Sequence, residues 1–378
     1  MATTLIQGVQ YSGIWNISSQ ANAKAAGTWP IAVDSGVYGF GINTAGCVFG
    51  STTPILTPTL IDGSGWLTVA AGLYQSGGIK STGTLWSWGL NNNGQLGIGN
   101  TTNYSSPKQV GALTTWSKIA VGFNNILAIK TDGTLWSWGR GSNGQLGLGN
   151  TTNYSSPKQI GALTDWATVA SAGFQSMATK TNGTLWVWGA QSVLGDTISR
   201  SSPVQVGALT NWLTVVAGQY HSGAIKTDGT LWFWGWNQGG CFGIGTSGTY
   251  YSSPKQVGAL TTWSNMASMT GYTLATKTDG TLWSWGNNFY GNLGLGNTTN
   301  YSSPKQVGSG TTWTNVSTSY YSGSIAIKTD NSLWTWGASE QTGQNTAVIN
   351  FSSPKQIGTG TGWSKPTSGF THSLVVNG

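Results

Sequence analysis

The sequence is poor in the residues that do chemistry. Its 378 residues hold two cysteines, two histidines, nine carboxylates and two arginines, Arg140 and Arg200, and only 7% of the chain is charged. Two histidines and two cysteines supply neither a zinc ligand set nor a nucleophile with its base. Asp132, Asp228, Asp279 and Asp330 recur at one turn, and Asp34, Asp62, Asp165, Asp196 and Glu340 are scattered, so nothing pairs them for acid–base work. No catalytic residue, metal ligand or cofactor is assigned, and the chain reads as non-enzymatic. No apolar run approaches the ~20 residues that span a bilayer. No stretch has the period of a long amphipathic helix, and the start MATTLIQGVQYSG lacks the basic cluster and apolar core of a secretory leader.

What the chain has is glycine, 58 residues of it, and aromatic side chains, 12%. Twelve of the 22 tryptophans fall in one repeated device, Trp-x-Trp, at Trp86/Trp88, Trp136/Trp138, Trp186/Trp188, Trp232/Trp234, Trp283/Trp285 and Trp334/Trp336. A period near fifty residues means a repeat architecture. In the unit from Trp116 to Gly161, SKIAVG, ILAIKT, TLWSWG and PKQIG read as four strands a to d. Asp132-Gly133 reads as a two-residue turn that selects glycine, with Asn331 the one substitute.

The tryptophan before strand a occurs seven times, from Trp66 to Trp363, but Trp-x-Trp only six. A weakened copy stands near the N-terminus, where Tyr38 and Phe40 replace the indoles. The seventh unit stops after strand b, at SLVVNG. Residues from about Gly36 to Asp62 therefore complete the last unit, and Gly378 is expected beside Gly36. Seven four-stranded units describe an all-β, seven-bladed β-propeller over residues 34–378, with residues 1–33 as an N-terminal arm. Alternation puts both rings of each pair on one face, filling the seams between blades.

The run GTLWSWGRGSNGQLGLGN…SSPKQIG…VASAGF…TKTNG resembles the RCC1 repeat family. That resemblance implies a seven-bladed ring, and its exchange-factor-like and inhibitor-like members imply an intracellular, cytoplasmic scaffold that binds proteins. The arm segment YSGIWNISSQANAKAAGTWP resembles a short stretch of tailed-phage virion proteins ending in Trp-Pro. This second likeness implies a virion or tail-associated protein, docked through Trp15 and Trp29 and contacting other virion proteins, a host-surface protein or a glycan. The virion reading is the leading expectation and the scaffold its alternative.

The net charge of +7 is spread over the repeats, so no specific nucleic-acid partner is expected. Cys47 and Cys241 align with Gln95, Gln145 and Asn292 in loops across the ring, too far apart for a disulfide, so two free thiols are expected. His221 and His372 share one position and read as structural. What remains for function is the face carrying the a–b turns and c–d loops. Its candidate binding residues are Tyr74, Phe123, Phe174, Tyr220, Tyr272, Tyr321 and Phe370 in the turns, and Trp236, Phe289 and Tyr290 in the loops. Phe242 is grouped with these loop aromatics. Aromatics among amides suit an interface or sugar rings, and the turn aromatics have a structural alternative, plugging the mouth of the channel.

Overall fold

Short strands punctuated by glycine build seven four-stranded antiparallel sheets. The computed structural model describes residues 35–48, 50, 52–190, 198–346 and 349–378; the arm residues Trp15 and Trp29 lie outside them. Blades 1 to 6 follow the chain, each a meander such as Trp116–Val121, Asn125–Lys130, Leu135–Gly139 and Tyr154–Gln159. Strand d starts three residues before the expected PKQIG, because Ser155 and Ser156 are already extended ahead of Pro157. The register slips between Tyr154 and Lys158, and a bulge on an outer strand is where a proline without an N–H is tolerated.

Blade 7 closes the ring as expected. Gly36–Gly41 pairs on one side with Ile55–Asp62 and on the other with His372–Asn377, with Gly36 opposite Asn377. Tyr38 and Phe40 are buried, and Tyr38 meets Trp363 edge-on at 5.2 Å.

The two faces of strand c do different work. The second indole of each pair is fully buried in the seam with the preceding blade, removing about 150–250 Å² from water, on the order of 4–6 kcal/mol. In four of the pairs its N–H donates there, while that of Trp138 is buried without a partner among the described residues. Trp88, Trp188, Trp285 and Trp336 donate at 2.8–3.0 Å to the main-chain carbonyls of Cys47, Gln145, Cys241 and Asn292 in the preceding blade's c–d loop. A glycine makes room for the ring: a Cβ on Gly147 would stand 2.8 Å from the Trp188 nitrogen. The residue between the indoles points the other way, and where it is Ser or Thr, in blades 1, 2, 5 and 6, it ties its own loop, as Ser137 Oγ does to Leu146 O at 2.7 Å.

The first indole is half-buried and holds the turn. Trp136 Nε1 donates to Thr134 Oγ1 at 2.8 Å, and Thr134 Oγ1 donates to Asp132 Oδ1 at 2.7 Å; these bonds hold the Asp132 carboxyl below its usual range. The turn is one residue longer than expected. Lys130 N bonds Thr134 O and Gly133 N bonds Lys130 O, so Thr131, Asp132 and Gly133 form a type I turn with only Gly133 at positive φ, 77°. Its carbonyl accepts the N–H of Trp166 in the next blade. The lysine before each turn, rather than standing free in solvent, lies over two indoles: Lys130 Nζ is 3.7 Å from the Trp136 ring centre and 5.2 Å from that of Trp116, a cation–π contact.

A Cβ at Gly133 would meet Thr164 O at 2.0 Å, on top of the strain of a side chain at positive φ. Gly133→Ala is expected to lower stability by roughly 1–3 kcal/mol, while Asn331→Gly, at φ 60°, stays within about 0.5 kcal/mol. Urea unfolding of the two variants side by side checks the difference.

Candidate functional site

The first residue of strand b points into the seam toward the next blade, and at six of the seven positions it is polar and buried. Gln75 Nε2 donates to Gly122 O at 2.9 Å, Asn125 Nδ2 to Ser171 Oγ at 3.1 Å and Gln175 Nε2 to Gly218 O at 2.7 Å. His221 Nε2 and Ser268 Oγ lie 2.6 Å apart, and His372 Nε2 and Ser76 Oγ 2.7 Å. Tyr272 fills the fifth position, its hydroxyl donating to Gly323 O at 2.7 Å. The sixth is Gly323 itself, and Gln341 fills the space its missing side chain leaves. A belt of hydrogen bonds thus runs from blade to blade around the axis.

This belt corrects one site residue and supports two structural readings. Tyr272 is fully buried and is a belt member, not a turn aromatic offered to a partner. The histidines are structural, and burial alone pushes them down to about 4 for His221 and about 3 for His372. Both cysteines are free and buried, and burial raises the Cys47 thiol to about 12 and the Cys241 thiol likewise upward.

Above the belt, the turn aromatics of blades 1, 2, 3, 6 and 7 meet one another over the axis. Phe123 touches Phe174 at 6.0 Å, Phe370 at 5.8 Å and, from a blade three places away, Tyr320 at 6.2 Å. Tyr320 stacks on Phe370 at 3.9 Å, and Tyr74 and Tyr321 flank Phe370 at 6.0 and 4.8 Å. Tyr74, Phe123, Phe174 and Phe370 therefore form a plug across the channel, the structural alternative raised by the sequence.

Blades 4 to 6 differ. Tyr220 is 44% exposed, Phe289 67%, Tyr290 46% and Tyr321 48%, and Trp236 is half-exposed beside Tyr250 at 5.9 Å. Tyr250, itself exposed, is a residue the sequence reading missed. Its signal is the doubled tyrosine of GTYYSSP, where blades 1, 2 and 5 carry one. Phe242, grouped with the loop aromatics, is fully buried and stacks on Phe233 at 5.6 Å. The exposed aromatics make a crescent on one side of the loop face rather than a ring around it. No three metal-ligating side chains converge among the described residues, and none of the described helices is long and apolar enough to cross a membrane.

Comparison with known families and structures follows the same lines. The model described as the regulator of chromosome condensation (RCC1) repeat matches residues 82–129, 132–179 and 279–322, and a second model of that repeat matches 116–145. The ring contains RCC1 repeats over those residues. Among solved structures, Prp20p from Saccharomyces cerevisiae is 18% identical over 97% of this chain and 96% of its own, with a TM-score of 0.80. Human WBSCR16 is 17% identical over 91% and 99%, with a TM-score of 0.79. Yeast RCC1 (Prp20) in its complex with Kap60 is 17% identical over 100% and 97%, with a TM-score of 0.80. At these identities the likeness shows the fold. The RCC1 loop signature GQLGLG now has a physical reason, since Gly147 and its equivalents seat the indole of the next blade.

Two buried neutral histidines make the ring acid-sensitive. As pH falls below the ordinary value near 6.5, the unfolded chain takes up protons that the folded ring refuses, so stability falls until about pH 4 for His221 and about pH 3 for His372. The loss across each window is on the order of 3 kcal/mol for His221 and on the order of 5 kcal/mol for His372. His221→Gln, the residue blades 1 and 3 use at this position, is expected to flatten the His221 part of the slope, read from thermal melts between pH 7 and 4.

Proposed function

We propose that this RCC1-repeat ring is a non-enzymatic scaffold that binds a protein partner through the aromatic crescent of blades 4 to 6. The observation that carries the reading is the division of labour among the loop-face aromatics. Those of blades 1, 2, 3 and 7, with Tyr320 of blade 6, spend their rings on the plug, whereas Tyr220, Trp236, Tyr250, Phe289, Tyr290 and, at the edge of the plug, Tyr321 keep theirs partly or largely exposed. Contiguous exposed aromatics on a monomer mark interaction sites, and tryptophan and tyrosine dominate binding hot spots.

The solved relatives favour the scaffold over the virion role. Prp20p is described by its binding to Gsp1p and histones, and yeast RCC1 is seen bound to Kap60; all are protein partners. The phage reading rests on residues 1–33, outside the described part of the chain, and no compared protein supports it. The crescent carries few charges, so its partner is expected to present an apolar surface with polar edges rather than an acidic or basic one.

Affinity capture with the intact protein, followed by titration of the captured partner, tests the site. Trp236→Ala with Phe289→Ala and Tyr290→Ala is expected to weaken that binding at least 30-fold, about 2 kcal/mol, with an unchanged melting temperature. Leu113→Ser with Leu163→Ser, on the opposite face, is expected to leave it intact. Equal binding by the triple variant removes the crescent from the reading.

A further inference from the structure

The face opposite the crescent holds a different kind of feature. Strand a is the innermost strand of each blade, and its third residue lies at the mouth of the axial channel on the turn side. Around the ring these residues are Thr68, Lys118, Thr168, Thr214, Asn265, Asn315 and Lys365. All seven carry a hydrogen-bond donor and none is acidic, a pattern that exposure alone does not require. The two lysines flank Thr68, in blades 7 and 2. Lys118, Lys365, Thr68 and Thr168 line one cavity of about 360 Å³ with Ser117 and Leu67. The other end of the channel is closed by the aromatic plug, so the cavity is the mouth of a blind funnel.

Its charge is uncompensated. The nearby link carboxylates are already engaged, Asp62 by Lys80 at 2.8 Å and Asp165 by Lys180 at 3.3 Å. Lys118 and Lys365 have no ion-pair partner among the described residues. Lys118 Nζ donates to Ala167 O at 2.5 Å, which holds it at the rim with two N–H groups left over. Lys365 is placed at a cost. It is one of five non-glycine residues at positive φ among the described residues, at 51°, and it stands before Pro366, a position that disfavours such a backbone. In blades 1 to 6 the register slip of strand a falls at its second residue; in blade 7 it is displaced and spans Lys365 and Pro366. Bulges of this kind re-aim a side chain.

We propose that this mouth binds a small phosphate-bearing ligand, with Lys118 and Lys365 as its cationic jaws and the Thr68 hydroxyl between them. Phosphate fits better than a carboxylate because it offers several strong acceptor oxygens and up to two charges to a site with two ammonium groups and a hydroxyl donor. The site is remote from the crescent, so it stands or falls separately from the scaffold reading.

Isothermal titration of the full chain with inorganic pyrophosphate at low ionic strength tests it, with phosphate and succinate as comparisons. Saturable pyrophosphate binding is expected, weakened at least tenfold by Lys118→Gln with Lys365→Gln and also by moderate salt. Lys158→Gln with Lys305→Gln, on the outer strands, is expected to leave it unchanged. Thr68→Glu, which puts a carboxylate between the jaws, is expected to abolish it with the melting temperature retained. Absence of saturable binding, equal loss in the outer-strand variant, or succinate binding as tightly as pyrophosphate overturns the proposal.

Discussion

The bond between an indole and the loop of the blade before it is the contact on which the ring depends. A β-propeller has no core of its own kind; each sheet is too thin to bury anything alone and must share a seam with its neighbours. Here the seam is set by one tryptophan that fills it, a carbonyl that takes its N–H, and a glycine that lets it in. Because the carbonyl belongs to the c–d loop, the same contact that joins two blades also fixes the loop that faces solvent. In blades 1, 2, 5 and 6 a serine or threonine beside the indole fixes the loop of its own blade. The c–d loops of blades 2 and 5 are therefore anchored by hydrogen bonds from two sides, the rigid support an interaction face requires.

Around the axis a second set of bonds adds to the first. The belt formed by Gln75, Asn125, Gln175, His221, Tyr272, Gln341 and His372 uses four residue types for one task, reaching a polar group of the next blade. Where the side chain is missing, at Gly323, a glutamine from the c–d loop takes its place. The uniform seam and the varied belt are complementary: the seam needs one shape, whereas the belt needs only a donor or acceptor of suitable length.

The fold was legible because its signals repeat. Seven copies of Trp66 and its equivalents, six tryptophan pairs and a weakened pair at Tyr38 and Phe40 fixed both the blade count and the closure, and repetition averaged out local ambiguity. The site was less legible, since it lies where the repeats differ. Tyr272 looked like a turn aromatic because the turn of blade 5 has the same residue type as its neighbours, one position later; only the hydrogen bond to Gly323 separates the two roles. The plug was not separable from a binding ring because residues on different blades meet over the axis at distances that strand patterns do not encode.

Closing the ring with strands from opposite ends of the sequence has a consequence for how the chain is made. The hairpin of Gly36–Gly41 and Ile55–Asp62 can pair within itself at once, but its inner edge waits for His372–Asn377, more than three hundred residues later. Throughout synthesis that edge presents the unpaired N–H and C=O groups of a half-finished sheet, and so does blade 1's open seam beside it. A growing chain of nearly identical blades has several wrong edges to offer before the right one arrives. The replacement of both indoles by Tyr38 and Phe40 makes this one strand unlike the other six, which lets the last blade distinguish its own partner from a neighbouring copy.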